Sequence, residues 1–115
     1  MMLPAAVCGI DGAIGSTFNV NGIRARQIYE LAQAGKIEDA LKIQHVTNDL
    51  ISAILANGLY PTIKELLKLQ GVDAGYCHRP MASADEGQKL LPKKSLIIIL
   101  DNSDRRYRNA GFYRY

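Results

Sequence analysis

Three consecutive residues, Gly15, Ser16 and Thr17, place two hydroxyl groups where a predicted apolar strand ends. A hydroxyl group both donates and accepts hydrogen bonds, so it suits a polar ligand. The same hydroxyls can instead satisfy backbone groups where a strand becomes a loop. Both roles stay open from the residues alone, and the second is the more common.

The other reactive side chains do not have the spacing of a catalytic or metal site. Cys8 and Cys77 are too few for a disulfide framework, so we expect reduced and partly buried thiols. Cys77 and His78 are adjacent, and adjacent side chains seldom face each other as a nucleophile and base must. His45 has no second ligand at helical spacing and is expected to face solvent or an interface. The sequence predicts no metal site and no cofactor.

The spacing of apolar residues predicts helices over most of the first 71 residues. Met1 to Cys8 is compatible with the end of a helix that Gly9 stops. Apolar residues then recur at spacings of three and four, which predicts helices from Ile23 to Ala34, from Ile37 to Gly58 and from Pro61 to Gly71. Their predicted buried faces are Ile28, Leu31 and Ala32 in the first helix, Ile37, Ala40, Leu41, Gln44, Asn48, Ile51, Ile54 and Leu55 in the second, and Ile63, Leu66, Leu67 and Gln70 in the third.

One short segment has the pattern of a buried parallel strand. Ile10 to Thr17 is apolar and broken by glycines, and a loop is predicted over Phe18 to Gly22. A parallel strand pairs with neighbours, yet the chain offers one other strand candidate, Ser95 to Leu100. The pattern therefore indicates a truncated barrel or doubly wound sheet.

Composition and charge exclude several classes of protein. The chain has 115 residues, of which 48% are hydrophobic and 22% charged, as in globular domains. It has no apolar run long enough to span a bilayer and no secretory signal pattern, so a cytoplasmic location is expected. The net charge of +3 lies entirely in residues 85–115, which end in RRYRNAGFYRY. Such a string can bind nucleic acid through phosphates and stacking, but one short tail is weak support for that partner.

Several segments resemble the C-terminal part of N-acetylneuraminate lyases, in the dihydrodipicolinate synthase superfamily. They are GIDGAIGSTFNVNG from Gly9 to Gly22, IRARQIYELAQAGKIEDALKIQ, and LYPTIKELLKLQGVDAG followed by HRPM. The resemblance covers residues 1–84. It implies an α/β fold, in which the last strand and helix of a (β/α)8 TIM barrel precede a C-terminal helical extension, so that the isolated chain is mostly helical.

Residues 85–115 depart from the family. The family closes with an amphipathic helix, whereas KSLIIILDNSDRRYRNAGFYRY has no helical periodicity. We expect an altered or disordered tail in this region.

The resemblance implies reversible aldol cleavage of N-acetylneuraminate to N-acetylmannosamine and pyruvate. In the family a strand lysine forms a Schiff base with pyruvate and a tyrosine relays the proton, both from earlier barrel strands. Neither has a counterpart here, so we predict no catalytic residue and an inactive isolated chain. The lysines present fall on predicted helices or in the tail: Lys36, Lys42, Lys64, Lys68, Lys89, Lys93 and Lys94.

The resemblance also implies a substrate-binding role for Ser16. TIM-barrel sites form at the C-terminal ends of the strands, and Ser16 ends the predicted last strand. Gly15 then lets the backbone approach the ligand, and Thr17 flanks it. A sialic acid is expected to bind only when a complete barrel is present. Family members are homo-oligomers, with a tetramer expected.

A second class of function stays open alongside the lyase fragment. Three amphipathic helices with a basic tail also describe a small helical interaction module, whose tail binds nucleic acid. The lyase fragment differs in requiring an upstream partner chain that supplies the lysine, the tyrosine and the substrate carboxylates.

Overall fold

The fold is known from a computed structural model that describes residues 1–81. This part of the chain forms four helices, α1 (Met2–Val7), α2 (Phe18–Gln33), α3 (Ile37–Ala56) and α4 (Leu59–Leu69). The prediction of a mostly helical chain is confirmed over this range. The boundary at residue 84, the tail 85–115 and the strand candidate Ser95 to Leu100 lie outside the described residues.

The helix ends follow the glycines in the sequence. Gly9 and Gly35 follow α1 and α2 with φ of 82° and 71°, a conformation that side chains with a Cβ rarely adopt. Gly58, with φ of 87°, separates α3 from α4. The predicted start of the last helix at Pro61 is two residues late, because α4 begins at Leu59. Pro61 still lies in the first turn, where backbone N–H groups have no partner within the helix.

The predicted strand over Ile10 to Thr17 is wrong for the described part of the chain. Residues 10–15 form neither helix nor strand, and Ser16 and Thr17 form a turn. A strand exists only when neighbouring strands accept and donate its backbone hydrogen bonds. Residues 1–81 supply no such neighbour.

The predicted loop from Phe18 to Gly22 is also wrong, because α2 already begins at Phe18. Asn21 nevertheless interrupts the helix with φ of −138° and ψ of 17°, so the polar pair Asn21 and Gly22 marks a kink. Val20 is 8% exposed and belongs to the core. Its burial explains why packing draws these residues into a helical turn despite their weak propensity.

Two apolar clusters hold the helices together. The first joins α2, α3 and α4 through Val20, Leu50, Ile54, Ile63 and Leu66, with Leu59 and Leu67 packed against it. The second joins α1, α2 and α3 through Leu3, Ile28 and Ala40, with Met2, Leu31, Ala32 and Ile43 around it. The predicted face of α2 is therefore confirmed.

The predicted buried face of α3 is displaced around the helix axis. Ala40, Gln44 and Ile54 are buried as predicted, and Thr47 and Leu50 join them. Ile37, Leu41 and Leu55 are instead 42%, 44% and 57% exposed. Apolar side chains lie on two adjoining strips of α3, and only one strip packs against the other helices.

A buried glutamine fixes the start of α1 against α3. The backbone N–H of Leu3 donates to Oε1 of Gln44 over 2.9 Å, and Nε2 of Gln44 donates to Oδ1 of Asn48 over 2.8 Å. The first N–H groups of a helix have no partner within it, so this side chain satisfies one of them. Gln44, a polar residue predicted on the α3 face, thus links α3 to α1 through a hydrogen bond between residues that are 41 positions apart in sequence.

Within the described residues, five polar or charged side chains are buried: Asn21, Arg24, Gln44, Thr47 and Thr62, which are 5%, 6%, 5%, 4% and 0% exposed. Within residues 1–81, neither polar atom of the Asn21 side chain nor Oγ1 of Thr47 has a hydrogen-bond partner. Burying a polar atom without a partner costs free energy. Asn21 and Thr47 are therefore weak points in the packing.

We expect Thr47→Val to stabilise the chain. Valine keeps the branched shape of threonine and removes the unpartnered hydroxyl, so the free energy of unfolding should rise by about 1 kcal/mol. Urea unfolding followed by far-UV circular dichroism measures the change. Thr62→Val is the matched control, because Oγ1 of Thr62 donates to the Asn57 carbonyl over 3.1 Å and its loss should destabilise. A loss of stability in Thr47→Val would contradict the assignment of an unsatisfied hydroxyl.

Candidate functional site

The predicted substrate-binding residues form the turn that leads into α2. The carbonyl of Gly15 accepts the Phe18 N–H over 3.0 Å. The carbonyl of Ser16 accepts the Asn19 side-chain amide over 2.9 Å, and the carbonyl of Thr17 accepts the Asn21 N–H over 3.0 Å. Backbone hydrogen bonds therefore define the position of this turn relative to the helix.

The hydroxyls of Ser16 and Thr17 take no part in these bonds. Both residues are half-buried, and neither hydroxyl is hydrogen-bonded to another group of residues 1–81. Thr17 is the N-cap residue of α2, a position where a threonine side chain commonly accepts a backbone N–H, but it makes no such bond here. Both hydroxyls are thus placed at a helix start with their hydrogen-bonding capacity unused by the described residues.

Gly15 is exposed, and its backbone lies beside an aromatic ring. A Cβ added at Gly15 would be 3.5 Å from Cε2 of Phe18, an ordinary van der Waals contact. Neither the Phe18 ring nor a positive φ therefore requires glycine at this position. The exposed backbone is consistent with the predicted close approach of a ligand, which stays a prediction.

The lysines within the described residues lie on or beside helices, as predicted. Nζ of Lys42 is paired with Asp39 over 2.9 Å, and Nζ of Lys64 donates to the Ala74 carbonyl over 2.6 Å. Lys36 precedes α3, and Lys68 lies exposed in the last turn of α4. Imine formation requires a neutral amine, which a buried, desolvated position favours. Lys89, Lys93 and Lys94 lie outside the described residues.

The remaining reactive residues are dispersed. Cys8 is exposed, which corrects the expectation of a partly buried thiol, whereas Cys77 is half-buried as expected. His45 and His78 are exposed. Among residues 1–81 no three His, Cys, Asp or Glu side chains are grouped closely enough to hold a metal ion. Over the same range no helix is long and apolar enough to cross a membrane.

Sequence reasoning missed the buried polar residues behind the turn. The sequence predicts a loop at Asn21 and does not place Arg24 on a buried face, yet both are nearly inaccessible to solvent. Desolvation by burial lowers the pKa of the Arg24 guanidinium from its ordinary value. The spacing of Asn21, Arg24 and Ile28 by three and four residues is the signal that places them on one helix face.

Comparison with known families matches residues 1–98 to the dihydrodipicolinate synthetase family. An N-acetylneuraminate lyase of Haemophilus influenzae is 71% identical over 96 residues, which are 84% of this chain and 33% of that enzyme. An N-acetylneuraminate lyase of Clostridium perfringens is 73% identical over 86 residues, 75% of this chain and 30% of the enzyme. The chain thus spans about a third of the length of the curated relatives it matches.

Comparison with solved structures also finds similarity to larger proteins, including an N-acetylneuraminate lyase. The crystal structure of the Fusobacterium nucleatum N-acetylneuraminate lyase complexed with pyruvate superposes with a TM-score of 0.80 and 62% identity, over 87% of this chain and 34% of that chain. A Clostridium difficile structure described as CdNal in complex with mannosamine superposes with a TM-score of 0.77 and 62% identity, over 86% of this chain and 33% of that chain. The four helices therefore have the arrangement of one third of these larger proteins.

Proposed function

Because this chain belongs to the dihydrodipicolinate synthetase family, we propose that it is the C-terminal part of an N-acetylneuraminate lyase. In the complete barrel it contributes the last strand, the last barrel helix and the helical extension. The identity of 71% to the Haemophilus influenzae lyase is the observation that carries this proposal.

The proposed reaction is the reversible aldol cleavage of N-acetylneuraminate to N-acetylmannosamine and pyruvate. A lysine forms the Schiff base that accepts the electron pair of the broken carbon–carbon bond, and a tyrosine moves the proton. We assign both groups to the two thirds of the enzyme's length that this chain does not match. The 115-residue chain alone is therefore proposed to be inactive, with no cofactor required.

Residues 15–17 have the proposed role of binding the polyhydroxyl tail of the sialic acid. Residues 10–15 precede α2 in the order of a βα unit, and TIM-barrel sites form where such strands end. The unused hydroxyl of Ser16 supports this role, because it can donate to one sugar hydroxyl and accept from another. Thr17 and the exposed backbone of Gly15 flank the same position.

The proposed cellular setting follows from the same relationship. The complete enzyme is proposed to be a cytoplasmic homo-oligomer, with a tetramer expected. The alternative of a nucleic-acid-binding module depends on RRYRNAGFYRY, which lies outside the described residues.

The Ser16 role can be tested in a chimera, in which the aligned 96-residue segment of the Haemophilus influenzae lyase is replaced by its counterpart from this chain. Ser16→Ala in the chimera should weaken N-acetylneuraminate binding by roughly 2- to 13-fold, since a hydrogen bond contributes about 0.5 to 1.5 kcal/mol. Inhibition by pyruvate should be unchanged, because the polyhydroxyl tail extends away from the Schiff base. Steady-state kinetics with pyruvate as the inhibitor measures both.

Thr17→Val is the matched comparison, because it keeps the side-chain shape and removes the neighbouring hydroxyl. We expect a smaller effect on N-acetylneuraminate than from Ser16→Ala. Equal weakening of pyruvate and N-acetylneuraminate in Ser16→Ala, or no change in either, would contradict the assigned role.

A further inference from the structure

A kink separates the first turn of α2 from the rest of the helix. Asn21 has φ of −138° and ψ of 17°, whereas helical residues have φ of about −63° and ψ of about −42°. Gly22 follows directly, and glycine favours a helix less than any residue except proline. The three residues before the kink, 18–20, therefore take a direction of their own relative to the body of α2.

The predicted binding residues are bonded to this first turn. The carbonyl of each residue in the turn 15–17 accepts the backbone N–H three positions later, in the first turn of α2, over 3.0 to 3.3 Å. Hydrogen bonds of this spacing wind the chain more tightly than those of an α-helix. The Asn19 side-chain amide also donates to the Ser16 carbonyl over 2.9 Å. Residues 15–20 thus form one unit, and the kink at Asn21 joins this unit to the body of α2.

The Asn21 side chain adds no hydrogen bond to the described part of the fold. The residue is 5% exposed, and neither its amide oxygen nor its amide nitrogen has a partner within residues 1–81. A buried amide without hydrogen bonds costs free energy, and asparagine disfavours the interior of a helix. A residue that breaks two local rules at one position is typical of a functional site.

Both parts of α2 are anchored in the core. Val20, before the kink, packs with Leu50 in the first apolar cluster. Ile28, after the kink, packs with Ala40 in the second cluster. Packing therefore holds the first turn at a defined angle to the body of α2, and this angle determines where the Ser16 hydroxyl lies. A binding group needs a rigid support of this kind.

We propose that Asn21 is a positioning residue for substrate binding, which holds the kink in α2 and thereby orients the Ser16 hydroxyl toward the polyhydroxyl tail of a sialic acid. This inference rests on the proposed function, and it adds a determinant of substrate affinity that does not touch the sugar. A rotation of the first turn displaces the Ser16 oxygen, and a hydrogen bond weakens steeply away from its preferred distance and angle. Straightening α2 at Asn21 should therefore weaken the binding of sialic acid.

The test compares Asn21→Ala with Asn21→Gly in the chimera that carries this chain's segment. Both substitutions remove the side-chain amide, but alanine favours helical φ and ψ, whereas glycine leaves the kink accessible. Asn21→Ala should raise KM for N-acetylneuraminate by about threefold, within the loss expected from removal of the Ser16 hydroxyl. Asn21→Gly should restore KM to near that of the parent chimera. Inhibition by pyruvate should be unchanged in both variants.

Thermal unfolding separates a positioning role from a structural one. In the full 115-residue chain, Asn21→Ala should unfold about 4 °C above Asn21→Gly, because alanine is the better helix former. The more stable variant is thus expected to be the weaker binder, whereas a structural role would make the less stable variant the weaker one. In a chimera that already carries Ser16→Ala, Asn21→Ala should raise KM no further, because its effect passes through that hydroxyl.

Thr47→Val is the matched control, because it removes a second buried polar group that has no partner within residues 1–81 and should leave KM unchanged. Equal KM values for Asn21→Ala and the parent chimera would overturn the positioning role. So would an increase that Asn21→Gly shares, that pyruvate inhibition follows, or that persists in the Ser16→Ala background. In each of these cases the proposed function stands, whereas a folded chimera that releases no pyruvate would overturn the proposed function and this inference together.

Discussion

The purified 115-residue chain, incubated with N-acetylneuraminate, is expected to release no pyruvate. The reaction requires an amine that forms a Schiff base. The lysines within the described residues lie on or beside helices, and in sequence they are distant from the turn at Ser16. Two of them are already bonded, Lys42 to Asp39 and Lys64 to the Ala74 carbonyl. A coupled assay for pyruvate should therefore give the rate of a blank without protein.

Borohydride trapping tests the same prediction at the formation of the Schiff base, which precedes the release of pyruvate. Reduction in the presence of pyruvate makes any Schiff base permanent and raises the mass of the protein. The mass of this chain should stay unchanged, whereas the Haemophilus influenzae lyase serves as the positive control. A pyruvate adduct on any lysine of the chain would contradict the prediction.

The second large effect is expected from Ile54→Ala. Ile54 is fully buried where α2, α3 and α4 meet, and its side chain packs in the cluster with Val20, Leu50 and Ile63. Truncation removes apolar contacts and leaves a cavity, so the free energy of unfolding should fall by about 2 to 5 kcal/mol. Such a loss is a large part of the stability of a small domain.

Leu55→Ala is the control for this substitution, because Leu55 is the next residue and is 57% exposed. Its effect should be well under that of Ile54→Ala, since most of its apolar surface is already in contact with water. Urea unfolding of both variants measures the difference. Similar losses in the two variants would show that α3 does not pack as the structure describes.

The helices could be predicted because their signals are local. Recurrence of apolar residues identified α2, α3 and α4, and the glycines at 9, 35 and 58 marked where the chain leaves a helix. The two apolar strips of α3 explain the error in its face, since periodicity cannot tell which strip meets α2. Leu41 and Leu55 lie on the strip that residues 1–81 leave exposed.

The strand and the site depend on contacts that are not local. Ile10 to Gly15 has a strand sequence, but pairing needs other strands, and these are not found in residues 1–81. The sequence prediction misses the burial of Asn21 and Thr47, because polar residues usually lie at the surface and helical spacing alone outweighs that preference weakly. The substrate-binding role of Ser16 follows only from the resemblance, because the hydroxyls of Ser16 and Thr17 have no spacing distinctive of a binding site.

The most direct test of the proposed function is the specific activity of the chimera that carries this chain's segment in the Haemophilus influenzae lyase. With 71% identity over 96 residues, we expect it to cleave N-acetylneuraminate at a rate within about tenfold of the parent enzyme. The isolated 115-residue chain, measured beside it, should be inactive. A chimera that folds into the parent oligomer but releases no pyruvate would contradict the proposal that this chain is part of an N-acetylneuraminate lyase.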